Sequence, residues 1–214
     1  MISPFWYKYT KYYRHSKVNL TLVEDALESA ILSRMLEKPR DEIEGKFDRA
    51  FRFCRKLNND RQWIRLHYQR TWTYLNWYND YSLFISEYTE LKNVVLKSDN
   101  IYDIELYFNL YNLLYGISVL VKLKDDYQID ISKERDDLIS ILNKFEADTE
   151  KPNSSLISKT YKILLELTDN IKGKININPQ LKSLIEVIKV SDGLIDYPFV
   201  SIKEIIEEYW KVNC

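Results

Sequence analysis

The chain reads as an all-α protein of eight to nine helices packed as antiparallel αα pairs. Apolar residues recur at spacings of three and four along nearly its whole length, as helices with one buried side require. Its 214 residues include only four glycines, at 45, 116, 173 and 193, too few for the turns of a sandwich or barrel. Apolar residues make up 45% and charged residues 29%, so the chain can bury a core and is neither disordered nor membrane-like. No low-complexity linker divides it. Residues 1–214 are expected to form a single domain, with an aromatic segment at 1–20, a core at 21–124 and further helices at 125–214.

The elements follow in order. Thr21-Leu-Val-Glu24 has the form of a capping box and opens a helix with an apolar face through Val23, Ala26, Leu27, Ala30, Ile31 and Leu36. Pro39 interrupts, and a second helix runs from about Asp41 to Leu57 through Ile43, Phe47, Ala50, Phe51 and Cys54. Asn58-Asn59-Asp60 is a turn with Asp60 as expected N-cap of a third helix carrying Trp63, Ile64, His67 and Trp72. Asn79-Asp80 leads into a fourth, with Phe84, Tyr88, Leu91 and Val95. Residues 102–123 form the most apolar helix; only Glu105, Asn109 and Asn112 mark a wet stripe. Helices at about 132–147 and 155–171 follow, and Pro179 suits the first turn of another. Ser201-Ile-Lys-Glu204 is a second capping box, before a final amphipathic helix.

Charge is uneven although the net is only −1. Residues 1–75 hold fifteen Lys or Arg against nine Asp or Glu, and the remainder holds sixteen against twenty-three. Such asymmetry points to an acidic partner for the basic end, or to attraction between the ends. Cys54 and Cys214 form neither a disulfide framework nor a metal spacing, and no continuous apolar run of signal-peptide or membrane-span length occurs. The expectation is a cytoplasmic protein that engages no membrane. With scattered glycines, two histidines and no HExxH, neither a cofactor nor a metal is expected.

One internal register aligns. Gly45, Phe47, Ala50, Phe51, Cys54 and Leu57 are followed 34 residues later by Asn79, Tyr81, Phe84, Ile85, Tyr88 and Leu91. Both sets give a turn residue, an aromatic two positions on, and an apolar helix face. Over roughly residues 45–96 this resembles the tetratricopeptide repeat, with Gly45 and Asn79 in the turn before the second helix of each unit. Phe84 departs from the small residue that Ala50 supplies, and Pro39 falls where the first unit's leading helix should run. The resemblance implies a stacked αα array that binds a peptide or helix and performs no catalysis. An ordinary helical bundle remains the alternative.

The candidate binding residues lie beside this register. Arg49, Arg52 and Lys56 share one helix face, and Arg61 and Arg65 share another, with Trp63, Tyr68 and Trp72 nearby. Guanidinium forks among aromatic rings suit carboxylates, phosphates or unstacked bases. Asp41, Glu42, Glu44 and Asp48 would neutralise part of the stripe, leaving a solvated face as the competing reading. The spacing of Arg61 and His67 resembles that of HEPN-type ribonucleases, which implies proton transfer by His67 and charge stabilisation by Arg61 on an RNA phosphate. The preferred expectation is a non-enzymatic interaction module for a peptide or protein partner, an acidic one among them. The alternatives are that ribonuclease or non-catalytic RNA binding.

Overall fold

The computed structural model describes residues 19–120, 129–170 and 178–191. Eight α-helices make up this part: α1 Leu20–Met35, α2 Arg40–Leu57, α3 Asp60–Asn76, α4 Tyr81–Val95, α5 Ile101–Leu120, α6 Ile131–Glu146, α7 Pro152–Asn170 and α8 Asn178–Val190. No strand occurs among the described residues, and the helices pack in adjacent pairs. The aromatic segment before residue 19, Gly173, and the capping box at Ser201 with its helix lie outside the described residues.

Short polar caps set the ends. Asn19, not Thr21, caps α1, its Oδ1 accepting from Leu22 N at 3.0 Å. Asn59, one residue ahead of the expected Asp60, caps α3 through Gln62 N at 3.0 Å. Asp80 caps α4 as its position suggests, accepting from Leu83 N at 3.2 Å. The helix exits manage without glycine. Glu37, Asn58 and Asn79 each take φ near +53°, the left-handed conformation that lets a departing chain satisfy the last carbonyls. Pro39 stands at the N-cap of α2, between helices rather than within one. Pro179 lies in the first turn of α8, where its missing N–H leaves no gap.

The chain divides between Lys97 and Ser98 into two compact units. In the first, α1 packs on α2, α2 on α3, α3 on α4, and α1 also meets α3. Lys46 on α2 donates to Ser33 near the end of α1, so these two helices run antiparallel. Arg65 pairs with Glu24, while Arg34 bonds Thr73, so α1 and α3 run parallel. Two αα hairpins are thus stacked with their leading helices alongside each other.

The buried faces give the register of that stacking. Ile43, Phe47, Ala50 and Cys54 of α2 recur 41 residues later as Phe84, Tyr88, Leu91 and Val95 of α4. Val23, Ala26, Ala30 and Ser33 of α1 recur at the same distance as Ile64, His67, Thr71 and Tyr74 of α3. All sixteen are buried. The 34-residue spacing is therefore corrected to 41. Gly45 lies exposed inside α2 and not at a turn, whereas Asn79 does precede α4.

In the second unit α5 packs on α6 and α7, α6 on α7, and α7 on α8. Tyr107, Leu110, Tyr111 and Leu114 of α5 are buried. Of the expected wet stripe only Asn109 is exposed, while Glu105 and Asn112 are half-buried and Asn112 Oδ1 is buried without a hydrogen-bond partner. Phe108 stacks on Tyr161 of α7 with ring centroids 4.4 Å apart. Leu138 and Leu142 of α6 and Leu165 of α7 complete an aliphatic interior.

Candidate binding site

α2 has three working sides because its residues repeat at three and four. Ile43, Phe47, Ala50 and Cys54 are buried in the core shared with α1. Glu44, Asp48 and Phe51 meet α3. The third side, Asp41, Gly45, Arg49, Arg52 and Lys56, is exposed. Arg49 lies 5.4 Å from the Phe53 ring, and Arg55 lies 5.7 Å from that of Trp63 on α3. Arg61, in the first turn of α3, is exposed as well.

Of the carboxylates expected to neutralise this stripe, Glu42, Glu44 and Asp48 are engaged elsewhere, while Asp41 stays exposed on the same side. Glu42 pairs with Lys46 at 3.1 Å. Glu44 and Asp48 pair with Arg70 of α3 at 3.2 and 3.4 Å. Among the described residues Arg49, Arg52, Arg55, Lys56 and Arg61 form no ion pair. At the C-terminal half of α2 cations complement the helix dipole, but at the start of α3 Arg61 opposes it, with Asp60 beside it.

Of the other predicted residues, Arg65, Tyr68 and Trp72 are not among the stripe's contacts, and Trp63 meets it through Arg55. Arg65 pairs with Glu24 of α1. Trp72 lies under Arg34, whose guanidinium carbon is 4.6 Å from the ring centroid. Tyr68 is half-buried. Trp63 is half-buried and meets Phe51 and His67 edge-on at 5.1 and 4.8 Å, forming an aromatic wedge between α2 and α3.

His67 points inward and is 5% exposed. Its Nδ1 lies 2.6 Å from Glu87 Oε2 on α4, and its Nε2 is buried without a partner. Arg61 remains in solvent one and a half turns away. A phosphate seeking both groups would have to displace the Phe51–Trp63 wedge.

A network outside the expected residues stands at the centre of this unit. Arg70 holds Glu44 and Asp48 of α2 and reaches Glu87 of α4 at 3.7 Å. Its Nε donates to Tyr74 Oη at 2.8 Å, and that hydroxyl donates to Glu44 Oε2 at 2.9 Å. Burial works against the Arg70 charge, but Glu87, Tyr74 and Glu44 together raise its pKa. Burial likewise pushes the Tyr74 phenol well up, keeping it a donor. Burial, with the Asp60 charge, lifts the Cys54 thiol to about 11, so it is a poor nucleophile. Arg70 falls three and four residues from His67 and Tyr74, a spacing that could have flagged the cluster. No group of His, Cys, Asp and Glu side chains fit to hold a metal occurs among the described residues.

No protein-family model, curated protein or solved structure matches this chain. No helix among the described residues is long and apolar enough to cross a membrane.

Proposed function

We propose that the chain is a non-catalytic helical-repeat interaction module, working in the cytoplasm, whose first unit docks an acidic peptide or protein surface. The observation that carries this reading is the unpaired stripe of Arg49, Arg52, Arg55, Lys56 and Arg61, beside carboxylates already committed to Arg70 and Lys46. Asp41 and Asp60 lie at its margins, and the cations between them are left available to a partner's carboxylates. Stacked αα hairpins with parallel leading helices support a tetratricopeptide-like array, built on a 41-residue unit rather than 34. Such arrays present extended faces and need no catalytic group. The buried, Glu87-bound His67 and the raised Cys54 thiol favour binding over chemistry.

The test is fluorescence anisotropy with a labelled, Glu-rich twelve-residue peptide. The native chain should bind it saturably and more weakly as salt rises. Combined Arg49→Glu, Arg52→Glu and Lys56→Glu substitution should weaken binding at least tenfold. Equal affinity for the reversed variant would refute the reading. Tighter binding of a single-stranded RNA of the same charge would replace it with RNA binding, and cleavage of that RNA with the ribonuclease.

A further inference from the structure

Arg34 near the end of α1 is 8% exposed, and its charge has no counter-ion among the described residues. Its Nη1 donates to Thr73 Oγ1 on α3 at 2.6 Å, and its guanidinium carbon lies 4.6 Å from the Trp72 ring centroid. Thr73 gives its own proton to Gln69 O at 2.7 Å, so each of these contacts is with a neutral group. Burial lowers the Arg34 pKa, with only the phenols of Tyr78 and Tyr68 acting the other way. Asp80 pairs with Arg40 at 2.8 Å, and Glu44 binds Arg70 and Tyr74 through its Oε2, its Oε1 being buried without a partner. Arg40 itself lies 4.5 Å from the Tyr78 ring. The Tyr78 hydroxyl, within electrostatic reach of Arg34, is buried with no hydrogen-bond partner.

We propose that Arg34 anchors a binding site for a carboxylate group at the seam of α1 and α3. A buried cation facing only neutral partners is unfavourable, and an anion seated on it removes that penalty. Thr73 occupies Nη1 and leaves the Nε–Nη2 edge, where two parallel N–H groups fit the two oxygens of a carboxylate. Trp72 holds the guanidinium plane, and the Tyr78 hydroxyl supplies a further donor. Charge balance selects the class. Asp80 cancels Arg40, so one uncompensated cation remains, and a phosphate dianion would bring one charge too many. The site is distinct from the Arg49–Lys56 stripe and does not depend on a partner docking there.

Nuclear magnetic resonance on the full chain tests this. The Trp72 indole N–H signal is followed while sodium acetate, or the blocked tripeptide acetyl-Gly-Glu-Gly-amide, is added, with sodium chloride at equal ionic strength as reference. A saturable shift with either probe and none with chloride supports the site. Saturation by acetate alone identifies a small free acid as the ligand; saturation by the tripeptide identifies an acidic side chain. Arg34→Lys keeps the charge but loses the paired edge, and should raise Kd at least tenfold. Tyr78→Phe removes only a hydroxyl and should raise it about fivefold, which keeps the test alive if Arg34→Lys does not fold. Shifts that follow chloride, or a Kd unchanged in both variants, overturn the proposal. Phosphate dianion bound as tightly as acetate overturns the choice of carboxylate.

Discussion

The two units order their helix contacts alike, each helix packing on the next and the first also meeting the third, yet their interfaces are filled differently. In unit 1 the joint between α2, α3 and α4 is a polar network, with Arg70, Glu44, Asp48, Glu87, His67 and Tyr74 set among aromatic rings. In unit 2 the interior shared by α5, α6 and α7 is mainly aliphatic and aromatic, through Leu138, Leu142, Leu165 and the Phe108–Tyr161 stack, with a buried hydrogen bond from Tyr107 Oη to Glu134 Oε2 at 3.1 Å beside them. The ion pairs Lys162–Glu146 and Lys151–Asp148 of unit 2 lie at its partly exposed margins. One arrangement of backbone therefore tolerates two kinds of filling. The polar one fixes which groups must face each other and leaves part of its charge unspent on the surface.

Substitutions that remove one kind of filling at a time sharpen this contrast. Leu142→Ala opens a cavity in the unit 2 interior and should cost about 3–4 kcal/mol in urea unfolding. Arg70→Met, which keeps the bulk and removes the charge, should cost about 2–3 kcal/mol because Glu44 and Glu87 are left without their cation, less than a fully buried pair because water reaches the site. Lys162→Met should cost under about 1 kcal/mol, as a marginal pair does. If Arg70→Met costs no more than Lys162→Met, the network is not what joins unit 1.

A smaller effect should follow pH. Burial opposes ionisation of Asp80, but the Arg40 hydrogen bond, the Leu83 N–H and the Arg40 charge together hold its pKa below the ordinary value. A depressed carboxyl contributes stability that is full above its unfolded pKa, near 4, and is lost as pH falls through the lower folded value. Asp80→Asn keeps the cap but loses the pair, so it should remove that acid-side loss at a cost below about 1 kcal/mol. Asp80→Ala loses the cap as well and should cost about 1–2 kcal/mol at neutral pH. Circular dichroism at pH 3 and 7 reads both.

Much of this was legible in the sequence, for physical reasons. Helix positions follow from the spacing of apolar residues, and Pro39 and Asn79-Asp80 do fall between helices. The repeat register that the apolar pattern suggests differs from the structural one by seven residues, 34 against 41. Seven residues are close to two helical turns, so a slipped alignment still superimposes buried face on buried face. Only the helix ends distinguish the two, and neither Pro39 nor Gly45 signals by itself which one starts α2. The cap of α1 was missed because Thr21-Leu-Val-Glu24 fits a capping box while Asn19, two residues earlier, fits a cap equally well. The basic stripe was legible as a face. Its lack of neutralisation was not, because Glu44 and Asp48 find Arg70 on another helix, and no spacing within α2 reveals that.

The most direct test of the account is where an acidic ligand contacts the chain. A Glu-rich peptide carrying a photoactivatable benzophenone side chain is crosslinked to the full protein, and the attached residues are mapped by mass spectrometry. Crosslinks concentrated on α2 and the first turn of α3, suppressed by added salt, are the predicted result. Crosslinks concentrated on α5–α8, or spread evenly over both units, would contradict it.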